Sequence, residues 1–170
     1  MNRIFLIGYM GSGKTTIGKL LASRLGYSFV DMDAYIEEKQ FKTISQFFAE
    51  KGEHEFRALE QKCLHEIAEF ENVIISTGGG TPCFFNNMEY MNSRGLTIYL
   101  KLTAAELAER LELIGVSKRP LLANRTGEDL RSFIDDGLSK REPFYEKANH
   151  SFSGDIGETV DNICELLSQL

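Results

Sequence analysis

The sequence predicts an α/β fold: a five-stranded parallel sheet covered by helices on both faces. Short apolar runs such as IFLI at 4–7 and VII at 73–75 lack polar alternation. That is the pattern of strands buried on both sides. These runs alternate with longer stretches of helical periodicity, which implies right-handed βαβ units. The chain has 170 residues, 42% hydrophobic and 26% charged, so a single domain over 1–170 can bury a real core.

In order, the first strand is expected at Arg3–Ile7, followed by a helix from Lys14 to about Leu25 that Gly26 can cap. A second strand follows at Ser28–Asp31. A long helix is expected over about Gly52–Phe70, because Phe56, Leu59, Cys63 and Ile67 recur at spacings of three or four. Strands are expected at Asn72–Ser76 and Thr97–Lys101, and a weaker one at His150–Ser153. Helices are expected at Ala104–Ile114, at Glu128–Lys147 and over the last twelve or so residues, where Val160, Ile163, Leu166 and Leu167 form the apolar stripe. The stretch GVSKRPLLANRTG, from Gly115 to Gly127, breaks periodicity and reads as a mobile loop, with a lid expected at about 113–127.

Lys and Arg number 19 against 25 Asp and Glu, a net charge of −6. Such a surface repels nucleic acid and anionic lipid, so neither is an expected partner. Any anionic ligand must be held by a local cluster of donors in a cleft. Cys63, Cys83 and Cys164 are odd in number and lack metal-ligand spacing, which fits reduced thiols in a cytoplasmic protein. The N-terminal apolar run is too short for a membrane span and lacks a secretory cleavage pattern. A monomer is expected.

The stretch GYMGSGKT, from Gly8 to Thr15, matches G-x-x-x-x-G-K-[ST] in full, between a strand and a helix. Its glycines let successive N–H groups converge on phosphate oxygens, and the helix start adds its positive dipole end. Lys14 can reach the β- and γ-phosphates, and the Thr15 hydroxyl can ligate Mg²⁺. The G-protein signatures N-K-x-D and D-x-x-G are missing from the chain, and the third strand ends in Ser76 and Thr77 rather than an acidic pair.

Asp31 and Asp33 end the second strand, where residues two apart share a face. One carboxylate can serve Mg²⁺ through water and the other can accept a proton from an attacking hydroxyl. A solvated pair at a helix start is the plain alternative. Gly78, Gly79 and Gly80 after a buried strand point to close approach or positive φ, either for a substrate or for a tight turn. Arg57 between Glu53 and Glu60 reads, alone, as a surface ion pair.

Together these features resemble the shikimate kinase family, of the nucleoside-monophosphate-kinase type. The resemblance rests on GYMGSGKT, DMD at 31–33, GEHEFRALE at 52–60, STGGG at 76–80, KRPLL at 118–122 and LSKREPFY at 138–145. It implies a three-layer α/β/α P-loop kinase with a mobile lid that phosphorylates the 3-hydroxyl of shikimate with ATP, on the route to chorismate and the aromatic amino acids. Asp33 would bind the ring hydroxyls and orient the nucleophile. Arg57 and Arg141 would grip the carboxylate, Glu60 would hold Arg57, and Gly78, Gly79 and Gly80 would give backbone contacts. The substrate region would span about 32–60.

Gly11, Ser12, Gly13, Lys14, Thr15 and Thr16 would hold ATP, with Arg110 against adenine and Arg119 over the phosphates. Lys14, Asp33 and Arg119 would be the catalytic set. Mg²⁺ would lie against Thr15, with Asp31 and Ser76 acting through water. Family members carry basic or proline residues near the last strand that help sandwich adenine, whereas residues 149–156 here contain neither Arg nor Pro. The rival functions are another small hydroxy-acid kinase, such as a gluconate kinase, and a nucleotide-binding module without transfer chemistry.

Overall fold

The computed structural model describes residues 3–115, 122 and 125–170. Its strands are β1 (Arg3–Ile7), β2 (Ser28–Asp31), β3 (Val73–Ser76), β4 (Leu96–Leu100) and β5 (His150–Phe152). They form one parallel sheet in the order β2-β3-β1-β4-β5. Among the described residues the helices are α1 (Lys14–Leu25), α2 (Met32–Gln40), α3 (Ile44–Ile67), α4 (Asn87–Arg94), α5 (Ala104–Ile114), α6 (Gly127–Tyr145) and α7 (Ile156–Ser168).

Alternation along the strands divides the core in two. Ile4, Leu6, Ile74 and Ile98 pack with α1 and α7 on one face. Phe5, Ile7, Val73, Ile75 and Tyr99 pack on the other, against residues of α3, α5 and α6. Strands β1, β3 and β4 thus bury both faces, which explains their apolar runs, while the edge strands β2 and β5 stay partly open.

Two helices differ from expectation by their existence and one by its length. Helices α2 and α4 are short and bury few side chains, with Met32 and Ile36 in the first and Asn87, Met88 and Met91 in the second. Helix α3 begins at Ile44 rather than at about Gly52, because Thr43 and Gln46 form a reciprocal capping box. Gly52 is a break inside it, at φ 83° and ψ 174°, a conformation open essentially to glycine alone.

Register brings the functional strand ends level. Ser76 lies opposite Leu6 on one side and Asp31 on the other. The segments that leave β1, β2 and β3 therefore start side by side at the carboxyl edge of the sheet, where open parallel sheets bind ligands.

Candidate active site

The turn from β1 into α1 has positive φ at Gly8, Gly11 and Gly13, so only glycines fit it without strain. Helix α1 starts directly at Lys14, with no acidic residue in its first turn to compete for an anion. The Lys14 ammonium donates to the carbonyls of Gly8 at 2.6 Å and Tyr9 at 3.1 Å, arching over the loop. Gly11, Gly13, Lys14, Thr15 and Thr16 line one cavity of about 840 Å³. Ser12 is buried beneath the loop, outside that lining.

Asp31 and Asp33 reach the same cavity, but not from one strand. Strand β2 stops at Asp31, which caps α2 by accepting from the Ala34 amide at 3.2 Å. Asp33 sits in the first turn of α2, so the shared-face argument fails while the convergence survives. Thr15 Oγ1 donates to Asp31 Oδ2 at 3.1 Å, and Ser76 lines the cavity beside them. The donors gathered there are all oxygen, the set that suits a hard divalent cation.

The Asp33 carboxyl is pushed up to about 6, first by desolvation between the cleft walls and then by the Asp31 charge. Lys14 pulls the other way, while Glu60 and Glu37 add to the rise. The residue itself remains open to water inside the cleft, so solvent screens part of this field. At neutral pH Asp33 is mostly ionised, yet a better proton acceptor than an ordinary carboxylate.

The three glycines after β3 are explained by close approach. None of them has positive φ. A Cβ on Gly78 would stand 3.0 Å from Asp33 Oδ1, one on Gly79 2.9 Å from an Arg141 Nη1, and one on Gly80 2.7 Å from both Arg57 Nη atoms. Consecutive glycines thus make room for a carboxylate and two guanidinium groups drawn from α2, α3 and α6. The turn reading also holds locally, since the amides of Thr81 and Cys83 bond back to Gly78 and Gly80.

Arg57 is no surface ion pair. Its side chain is 11% exposed, its Nη1 donates to Glu60 at 2.9 Å, and Glu53 lies 3.5 Å away. The guanidinium carbon stands 4.2 Å from the Phe84 ring centre. Its Nε is buried with no hydrogen-bond partner among the described residues. Arg141 stands 5.3 Å from the Tyr9 ring centre. Arg57, Arg141, Gly78 and Gly80 lie off the main cavity lining and join it through Gly79.

At the far end Arg110 donates to the carbonyls of Ser12 at 3.1 Å and Gly154 at 3.3 Å, tying the phosphate loop to the start of α7. Leu113, Ile114 and Ile156 give this end an apolar wall suited to a planar base, which the sequence reading did not assign. One signal was available: Leu113 falls off the buried stripe of Leu107 and Leu111 and is 82% exposed. Arg119 and most of the expected lid, residues 116–121, 123 and 124, lie outside the described residues.

A family model for shikimate kinase matches residues 10–170. A shikimate kinase of Parabacteroides distasonis is 54% identical over 170 residues, spanning 100% of this chain and 98% of the relative. The crystal structure of shikimate kinase from Bacteroides thetaiotaomicron superposes with a TM-score of 0.93 at 48% identity, covering 98% of each chain. Shikimate kinase from Acinetobacter baumannii, in complex with shikimate, gives a TM-score of 0.88 at 32% identity, covering 99% of this chain and 94% of its own.

Proposed function

The chain belongs to the shikimate kinase family, and on that premise we propose how its cleft passes the γ-phosphoryl group of ATP to the 3-hydroxyl of shikimate. The protein is an ATP-dependent kinase of the P-loop α/β class. One observation carries the residue assignment: Asp33, Arg141 and Arg57 converge on three successive glycines beside the phosphate loop.

Arg57 and Arg141 hold the substrate carboxylate, since paired guanidinium groups match its geometry and supply the local positive charge that an acidic protein otherwise lacks. Asp33 accepts a hydrogen bond from the reacting hydroxyl. As that oxygen bonds to the γ-phosphorus, the bond to the β,γ-bridging oxygen breaks, ADP leaves, and the hydroxyl proton passes to Asp33. Lys14 exchanges loop carbonyls for phosphate oxygens, and the amides of Gly11–Thr16 bind the remainder. Adenine lies between Arg110 and the apolar wall.

The oxygen donors fit Mg²⁺: Thr15, together with Asp31 and Ser76 through water, would hold it, and it would supply charge neutralisation on the phosphates. Arg119 is assigned to the phosphates, within a lid at about 113–127, on its place in KRPLL. The functional unit is one domain with its substrate region at about 32–60, acting as a monomer in the cytoplasm without nucleic-acid partners. No helix among the described residues is long and apolar enough to cross a membrane.

Release of ADP from Mg-ATP, measured against shikimate, gluconate and nucleoside monophosphates, tests the assignment. Shikimate should exceed every other acceptor at least about 100-fold in kcat/KM, or about 3 kcal/mol of transition-state binding. Comparable turnover of gluconate or a nucleotide would contradict it.

A further inference from the structure

The residues just beyond the third glycine brace Arg57 from two directions. Glu60 is 1% exposed, and both of its carboxylate oxygens are occupied. Oε1 accepts from Arg57, and Oε2 accepts from the Thr81 hydroxyl at 2.8 Å. A carboxylate only accepts, so the Thr81 hydroxyl must donate and cannot turn elsewhere without leaving a buried charge unsatisfied. Gly78 leaves space for this bond: a Cβ there would stand 3.0 Å from Thr81 Oγ1 and 3.1 Å from Glu60 Oε2.

Thr81 is itself fixed. It is fully buried, its amide bonds to Gly78, and its carbonyl accepts from Asn87 Nδ2 at 3.0 Å. Between Thr81 and Asn87 the chain holds two successive non-glycine residues, Phe85 and Asn86, at φ 50° and 56°. Backbone strain of that kind persists only where the surroundings over-determine it, and it gathers at functional sites. Here the strained turn, closed by the Asn87 amide on the Phe84 carbonyl at 2.9 Å, lays the Phe84 ring against the Arg57 guanidinium.

We propose that Thr81 is a positioning residue for shikimate binding: through Glu60 it sets the direction in which Arg57 presents its free donors to the substrate carboxylate. The inference rests on the assignment of Arg57 to that carboxylate. Thr81 touches neither substrate nor nucleotide in this scheme, and it lies outside the STGGG and GEHEFRALE motifs.

Steady-state kinetics of Thr81→Val, Thr81→Ser, Arg57→Ala and the Arg57→Ala/Thr81→Val double variant test it. Thr81→Val keeps the shape and removes the donor. It should raise the KM for shikimate about 5- to 20-fold and leave the KM for ATP within about twofold. Thr81→Ser, which keeps the donor, should return the shikimate KM to within about twofold of wild type. In the Arg57→Ala background Thr81→Val should add less than about twofold, because the two act as one unit.

An unchanged shikimate KM in Thr81→Val would overturn the proposal. So would a serine variant as impaired as the valine, or an undiminished valine effect without Arg57. If Arg57→Ala itself leaves the shikimate KM unchanged, the carboxylate assignment fails and this inference falls with it. If Arg57→Ala raises it and Thr81→Val does not, only the role of Thr81 fails. Should Thr81→Val not fold, Thr81→Ala gives the same comparison, with its ATP KM reporting that the site is intact.

Discussion

At Asp33 chemistry and stability pull in opposite directions. A folded pKa of about 6 against an ordinary 3.8 means that the folded state binds more protons between those values. Stability therefore falls as pH rises from about 4 to 6, and the full cost is present above 6. Asp33→Asn removes the cost. The whole shift corresponds to about 3 kcal/mol, but because water reaches the residue the variant should gain only about 0.5–1 kcal/mol at pH 8. Urea unfolding at pH 8 and pH 4 checks this, the advantage vanishing at the lower pH. The same variant should lose at least about 100-fold in kcat. Wild-type kcat/KM for shikimate should fall below about pH 6 as the carboxylate takes up a proton. Gly80→Ala is the complementary probe. Its Cβ would meet the Arg57 guanidinium at 2.7 Å, so the shikimate KM should rise at least about tenfold while the ATP KM stays within about twofold. The residue scale was only half legible beforehand. Three glycines in a row signal that something comes close, but Asp33, Arg57 and Arg141 are remote in sequence, so only the family resemblance grouped them with the glycines, and only the fold shows their side chains against them.

Among the elements, the strands and the longer helices were legible in the sequence, and the two short helices were not. Helices α1 and α5 and strands β1 and β2 fall at their expected bounds. Glycine or threonine ends the two helices sharply: Gly26 closes α1 in the left-handed region, and Thr103 opens α5 with a capping box. Helices α2 and α4 escaped because two or three buried side chains in eight or nine residues make no visible period. Tertiary contact rather than propensity makes them helical. Met32, which anchors α2, is adjacent to both acidic residues of the site, so the missed helix moved Asp33 off its supposed strand. In α3 the break at Gly52 stands five residues before Arg57 and sets the direction of the segment that carries Arg57 and Glu60. No atom lies within 4 Å of a Cβ built on Gly52, so Gly52→Ala would test backbone strain without a clash. It should destabilise the protein by about 1–3 kcal/mol by chemical denaturation and raise the shikimate KM. An alanine variant of wild-type stability would show that the break is incidental.

For the whole molecule the question is how a chain of net charge −6 gathers two anionic substrates in one cleft. Alignment of β1, β2 and β3 at a common level answers it. One strand end feeds the phosphate loop, the next presents Asp31, and the third enters the glycine turn into which two arginines pack. Because Arg57 is mostly enclosed, added salt screens its pull on a carboxylate far less than it screens surface charge. The acidic exterior and the cationic pocket are therefore compatible. A crystal structure of the protein with shikimate and Mg-ADP examines this arrangement most directly. The substrate carboxylate should lie within about 3 Å of guanidinium nitrogens of both Arg57 and Arg141, with the 3-hydroxyl on Asp33 and facing the phosphate loop. Shikimate seated elsewhere, or bound with its carboxylate in solvent and Asp33 turned from the ring, would contradict the account.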